Sequence, residues 1–290
     1  MKTFRAALAC LPLLVACGDD GTSAEDYAGT WLITSLTTPA EVGTTTLTRD
    51  GSPRSVRGDL VITPTADTEA TMHVRMIPLV DGVPVDGPLS QSMALAIEDD
   101  AWILTEDNGA VTVFTAMRHD DGTLMLTADL TDPRMTAEDP PLEVMAMPAP
   151  AWTTASVGTW DLLWLVNASG TMLANSCTEV VPGQRWAKAQ MMLSFDEHLV
   201  YQRTMTMAGY GDAACTRLVS MEQARATGLA EEEDGATLRM WGIDEGAEVG
   251  EALTFTLAGE DHVLTLTRTA CAPMPGCLEG APSTVIVNGR

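Results

Sequence analysis

The chain has 290 residues, with 40 Asp and Glu against 16 Lys and Arg and a formal net charge of −24. So acidic a surface repels phosphate backbones and anionic headgroups, which argues against nucleic acid as a partner. Apolar residues make up 46% and charged ones 19%, a globular balance in a length that suits one large or two moderate domains.

Lys2 and Arg5 precede an apolar run from Ala6 to Ala16, a stretch of 11 residues. A charged n-region followed by so short an h-region fits a secretory leader and falls short of a bilayer span. The run ends in Leu14-Val15-Ala16-Cys17, followed by the polar Gly18-Asp19-Asp20-Gly21. This resembles the lipobox of bacterial lipoproteins. The resemblance implies cleavage before Cys17, a diacylglyceryl thioether on Cys17, and often acylation of its new amino group. Residues 1–16 are then the signal peptide and 17–26 a short solvated tether. Each buried acyl methylene contributes about 0.8 kcal/mol, so two or three chains hold durably. No later apolar run approaches the ~18 residues of a transmembrane helix. The membrane, reached through Cys17, is the expected partner. Gly18 after the lipidated cysteine resembles the outer-membrane-directed case, on the periplasmic or surface face. Without Lys2 and Arg5, 14 cations remain against 40 acids.

Thr-rich alternating runs dominate the rest, and helix-period stripes are scarce, which predicts an all-β protein. The first half reads as strands at 28–37, 44–49, 57–64, 69–79, 90–97, 101–106, 110–117 and 123–130. Tight turns separate several of them: Asp81-Gly82, Asp107-Asn108-Gly109 and Asp120-Asp121-Gly122. Asn-Gly between alternating runs is a strong hairpin signal because both residues tolerate positive φ. Eight such strands suit an up-and-down antiparallel barrel over 27–135. Residues 136–155 hold Pro140, Pro141, Pro148 and Pro150, which disfavour helix and central strand and predict a stiff linker. A second β domain is expected over 156–290, with a last piece, Ser283–Val287, pairing with an edge of its barrel.

The two halves are related. Ala28-Gly29-Thr30-Trp31 returns as Val157-Gly158-Thr159-Trp160, Glu106–Val113 matches Glu232–Arg239, and Leu124–Thr127 matches Leu264–Thr267. Three matches in one order predict a duplicated domain. Gly-x-Trp on the first strand of a small eight-stranded barrel resembles the lipocalin (calycin) family, in particular the short lipocalin-like domains of bacterial lipoproteins. The resemblance implies that Trp31 and Trp160 plug the closed ends of two tandem antiparallel up-and-down barrels. It also implies a last-strand Arg packed over the Trp by cation–π contact. Arg268 fits that role in the second copy, whereas the first has Ala128 there, a broken pair. Two immunoglobulin-like β-sandwiches are the alternative architecture.

Cys10 leaves with the signal and Cys17 is the lipid site, so Cys177, Cys215, Cys271 and Cys277 remain. In an oxidising compartment they predict two disulfides. Of three connectivities, Cys271–Cys277, closing a small Pro-rich loop, and Cys177–Cys215 are favoured. A metal site is the rival, but no C-x-x-C pair or nearby histidine supports one.

No nucleophile elbow, zincin, Walker or EF-hand motif is present, so no cofactor, metal or catalytic residue is expected. His73, His119, His198 and His262 lie far apart in sequence, and Asp196-Glu197-His198 reads as a hairpin turn. Glu98-Asp99-Asp100 and Glu231-Glu232-Glu233-Asp234 read as solvated turns. Asn167-Ala168-Ser169 is an incidental sequon. Met72, Met76, Met93, Met117, Met191, Met192, Met205, Met207, Met221 and Met240 sit in strands. Their thioethers either fill cores or line an adaptable apolar pocket, and no ligand-binding residue is singled out. The sequence thus predicts a non-enzymatic, lipid-anchored tandem barrel protein that binds a small apolar ligand. The alternative is an interaction lipoprotein with filled barrels.

Overall fold

The computed structural model describes residues 23–40, 43–49, 51, 53–98, 101–128, 142–149, 156–166, 172–233, 236–248, 250–260, 263–272 and 284–289. The signal peptide, Cys17 and residues 18–22 lie outside them.

In the first half, a 3-10 turn (Ala24–Tyr27) leads into β1 (Gly29–Ala40), β2 (Gly43–Thr48), β3 (Arg54–Pro64), β4 (Glu69–Val80), β5 (Val83–Pro84), β6 (Leu89–Glu98), β7 (Ala101–Thr105), β8 (Val111–Arg118), β9 (Leu124–Ala128) and β10 (Leu142–Ala149). Each strand of β1, β3, β4, β6, β7, β8, β9 and β10 pairs antiparallel with the next, and β10 returns to β1. That closes an up-and-down barrel. The second half holds β11 (Gly158–Val166), β12 (Met172–Ala174), β13 (Thr178–Val181), β14 (Arg185–Phe195), β15 (Val200–Tyr210), β16 (Leu218–Glu233), β17 (Thr237–Asp244), β18 (Glu251–Glu260), β19 (Val263–Ala272) and β20 (Thr284–Gly289). Here β11 and β14 to β20 form the ring, closed by β20 on β11. The protein is therefore two tandem antiparallel barrels, the up-and-down form that the turn spacing predicts and consistent with the lipocalin-like resemblance, and not a pair of sandwiches.

Strand β10 corrects the expected linker. It occupies 142–149 and pairs with both β1 and β9, so it completes the first barrel. Its proline is tolerated because pairing with β9 stops at Ala146, and at Pro148 only β1 lies alongside. A residue without an N–H is accommodated where one ladder is missing. The other linker residues, 136–141 and 150–155, lie outside the described residues. Correspondingly, 44–49 is not a ring strand: β2 folds back on the outer half of β1 as an added hairpin. The terminal piece near 283–287 is not an edge addition either, since β20 is the closing strand.

The tether is also shorter than 17–26. Ser23 caps the 3-10 turn, its hydroxyl accepting from the Glu25 N–H at 3.2 Å while Asp26 accepts from the Ser23 N–H at 3.1 Å. Ala24 and Tyr27 are buried against the first core. Satisfied donors and buried apolar surface make this segment part of the barrel's closed end.

The duplication is visible in a shared device. Gly29 and Gly158 have φ of +119° and +135°, values that favour glycine. Two residues on, the indole N–H of Trp31 donates to the Tyr27 carbonyl at 2.9 Å, and that of Trp160 to the Ser156 carbonyl at 2.8 Å. A register shift follows in both copies, between Ile33 and Ser35 and between Leu162 and Trp164. One sequence match is out of step, however. Glu106–Val113 spans the turn between the fifth and sixth ring strands, β7 and β8, whereas Glu232–Arg239 spans that between the fourth and fifth, β16 and β17. Acidic-Gly turns recur on several hairpins, so that match reflects turn chemistry rather than equivalent position.

Candidate functional site

Two places concentrate unusual chemistry: the interior of the first barrel and the seam between the barrels. Inside the first barrel, alternate residues of each strand point inward. At the closed end Trp31, Tyr27 and Trp102 pack together, with Tyr27 edge-on to Trp102 at 4.8 Å. Arg118 of β8 lies over the Trp31 ring at 5.7 Å and donates to the Asp26 carbonyl at 3.1 Å. The cation–π partner expected to be missing in the first copy is thus present, delivered by a different strand from the one holding Ala128. In the second copy, Arg268 lies on β19, the penultimate strand, opposite Phe255; its side chain lies outside the described residues.

Above this floor the first barrel holds an apolar cavity of about 210 Å³. Met72 and Met76 of β4, Met93 of β6, Leu60 of β3 and Phe114 of β8 line it. Its polar groups, Gln91, Glu106 and Thr112, lie toward the end away from Trp31. The Glu106 carboxylate is engaged by Asn108 Nδ2 at 2.9 Å. The second barrel is different. Tyr201 of β15 lies across Gly228 and Gly242, which face each other on β16 and β17, and a Cβ on either would collide with its ring. The phenol is buried, and desolvation pushes its pKa up. Beside it lies a small cavity of about 70 Å³, lined by Arg203, Asp244 and Glu251, with Arg203 paired to Asp244 at 2.8 Å.

At the seam, β4 is buried on both faces, for its outer residues His73, Arg75, Ile77 and Leu79 meet the second barrel. Ile77 and Leu79 form an apolar cluster with Leu229 and Trp241. Arg75, 1% exposed, grips Asp59, 0% exposed, through Nε at 3.0 and 2.9 Å and Nη2 at 2.8 Å. Its Nη1 donates across the seam to the carbonyls of Ala230, at 3.1 Å, and His198. Burial pushes the Asp59 carboxyl up, against the opposing pull of Arg75. Arg49 reaches Glu231 at 2.7 Å. The His73 ring stacks on His198 at 3.3 Å and hydrogen-bonds Ser92 Oγ at 2.8 Å and Ser90 Oγ at 3.1 Å. Desolvation, then His198, lowers the His73 pKa to about 4, so the ring is neutral at pH 7.

This corrects one expectation about the carboxylates. Glu231 and Glu232 are 2% and 6% exposed, not solvated. Strand alternation sends Glu231 to the seam and Glu232 to the closed end of the second barrel, where Ser156 Oγ donates to it at 2.8 Å. Asp196-Glu197-His198 is the expected turn, with Asp196 accepting from the His198 and Val200 N–H groups, both at 2.9 Å. Cys177 and Cys215 form a disulfide; the Cys271 side chain, Cys277 and His262 lie outside the described residues. Among the described residues no group of three His, Cys, Asp or Glu is placed to hold a metal ion.

Arg75 and Asp59 escaped the sequence reading. A signal existed: from Met72 to Val80 apolar residues occupy both parities, a mark of a strand covered on both faces. No known family model and no curated protein matches the chain.

Proposed function

We propose that this is a lipid-anchored bacterial envelope lipoprotein, non-enzymatic, whose first barrel binds one small apolar molecule. The observation that carries the reading is the methionine-rich cavity of about 210 Å³ above Trp31. An apolar cavity of about 150 Å³ is large enough to bind benzene, so this one suits a single ring or a short acyl fragment. Methionine side chains adapt to either shape. The lipobox-like Leu14–Cys17 supports the anchor, and the second barrel, filled by Tyr201, serves as scaffold.

Native mass spectrometry of the body from Gly18 to Arg290, purified without denaturant, tests the binding reading. The expected result is a retained apolar adduct that Met93→Trp, which pushes an indole into the cavity, abolishes while the far-UV spectrum is unchanged. A bare mass, or an adduct indifferent to Met93→Trp, refutes it. The anchor is tested by palmitate labelling in cells, which Cys17→Ser should abolish.

A second reading, a lipoprotein that docks on a protein partner, is favoured by the arm of β15 and β16. There Leu218, Val219 and Met221 are 54, 68 and 65% exposed beside the Cys177–Cys215 disulfide, and a run of exposed apolar residues marks an interaction surface.

A further inference from the structure

A groove of about 460 Å³ follows the seam between the barrels. Arg49 and Arg57 line it from the first barrel, Arg239 and Trp241 from the second, with Leu79 and Asp81 beside them. In a chain of 40 acids and 16 cations, three guanidinium groups converging from two domains run against the composition. Among the described residues, the carboxylates set against them are Glu231, paired with Arg49, and Asp81, which lines the groove. Glu231 is 3% exposed on its side chain and lies 2.7 Å from Arg49 and 4.0 Å from Arg57. Arg49 is further fixed by donating to the Gly58 carbonyl at 3.2 Å, and Arg57 by lying over the Trp241 ring at 5.3 Å. These contacts take two of the five donors of Arg49 and set its fork before any ligand arrives, which lowers the ordering cost of binding.

We propose that this groove binds a phosphate monoester, its oxygens among Arg49, Arg57 and Arg239 and its organic part against Leu79 and Trp241. Three forks can meet three phosphate oxygens, whereas a carboxylate offers only two. Pockets also favour domain junctions. The site is separate from the barrel cavity, so either can fail without the other.

The test uses the chain from Gly18 to Arg290, which keeps every described residue, with inorganic phosphate and phenyl phosphate titrated by calorimetry. Both should saturate, phenyl phosphate more tightly. Arg57→Gln and Arg239→Gln, one from each barrel, should each weaken binding about tenfold, the loss of one charge-assisted contact; Arg185→Gln, on an exposed strand end elsewhere, should leave it unchanged. Non-saturating heats, or equal affinity in both groove variants, overturn the proposal. Should a variant misfold, the unmodified chain still decides. Phenyl phosphate should slow phenylglyoxal modification of Arg57 and Arg239, mapped by mass spectrometry, but not of Arg185 and Arg217; uniform rates overturn the proposal. Flotation with phosphatidylcholine vesicles doped with phosphatidic acid then separates the sources. Flotation competed away by phenyl phosphate upholds the site with a lipid headgroup as ligand. Saturable phenyl phosphate binding without flotation upholds it with a soluble monoester.

Discussion

Replacing Arg75 with methionine removes the cation from a fully buried carboxylate and the donor from two carbonyls of the opposite barrel. Asp59 has 0% exposure and three contacts of 2.8–3.0 Å to that guanidinium. Breaking one side of a buried pair costs about 3–5 kcal/mol, chiefly because the remaining charge is left desolvated. That is a large fraction of a domain's whole stability. The expected signature is a lowered urea midpoint, followed by tryptophan fluorescence, with a cost that depends on pH. Without Arg75 the Asp59 carboxyl, already pushed up by burial, takes up a proton on folding. A folded pKa above the unfolded one contributes stability at low pH that is lost as pH rises. The penalty of Arg75→Met should therefore be smaller at pH 5 than at pH 8. The double variant Asp59→Leu/Arg75→Met should cost less than the two singles added, since no orphan charge remains. A loss below about 1 kcal/mol, within the range of a surface ion pair, or strictly additive singles, would refute the seam as a buried electrostatic lock.

Three further outcomes follow from other sites. Gly29→Ala and Gly158→Ala, at φ of +119° and +135°, should each cost about 1–3 kcal/mol through backbone strain alone, since a Cβ at Gly29 meets nothing within 4 Å; an unchanged melting temperature in both would refute it. Removing the Cys177–Cys215 bond, which closes a separation of 38 residues, should cost on the order of 3–4 kcal/mol in the chain-entropy account. Urea midpoints of Cys177→Ala/Cys215→Ala against the oxidised parent measure this, and equal midpoints would count against it. His73, with a folded pKa of about 4 against an ordinary 6.5, binds a proton more readily unfolded. It contributes stability above 6.5 that is lost as pH falls toward 4. His198, Asp196 and Arg75 act on the same ring, so the comparison is with His73→Gln, whose midpoint should fall less over that window; parallel curves would sink the assignment.

Much of the barrel scaffold was legible because hairpin turns and alternation are local. Asp107-Asn108-Gly109 and Asp120-Asp121-Gly122 lie between paired strands, and Gly29-x-Trp31 and Gly158-x-Trp160 mark the same device twice. The eighth ring strand of the first barrel was misread because prolines were weighed by composition, while Pro148 is tolerated by a gap in one ladder. Arg118 was missed because cation–π pairing depends on which strand end reaches Trp31, and sequence alignment points at Ala128 instead.

The sequence by itself determined the leader-like N-terminus, the acidic balance, the all-β class and the duplication, each a property of neighbouring residues or of period. Tertiary structure alone decided which barrel is hollow and which is filled. The methionines look alike in both halves, but only in the second does a tyrosine find two facing glycines to lie across. It also decided the fate of the charges. Glu231 belongs to an acidic run that reads as solvent-facing, and becomes buried because the first barrel docks on its strand and brings Arg49 from 182 residues away. Pairings at that separation depend on domain docking, which no local pattern encodes.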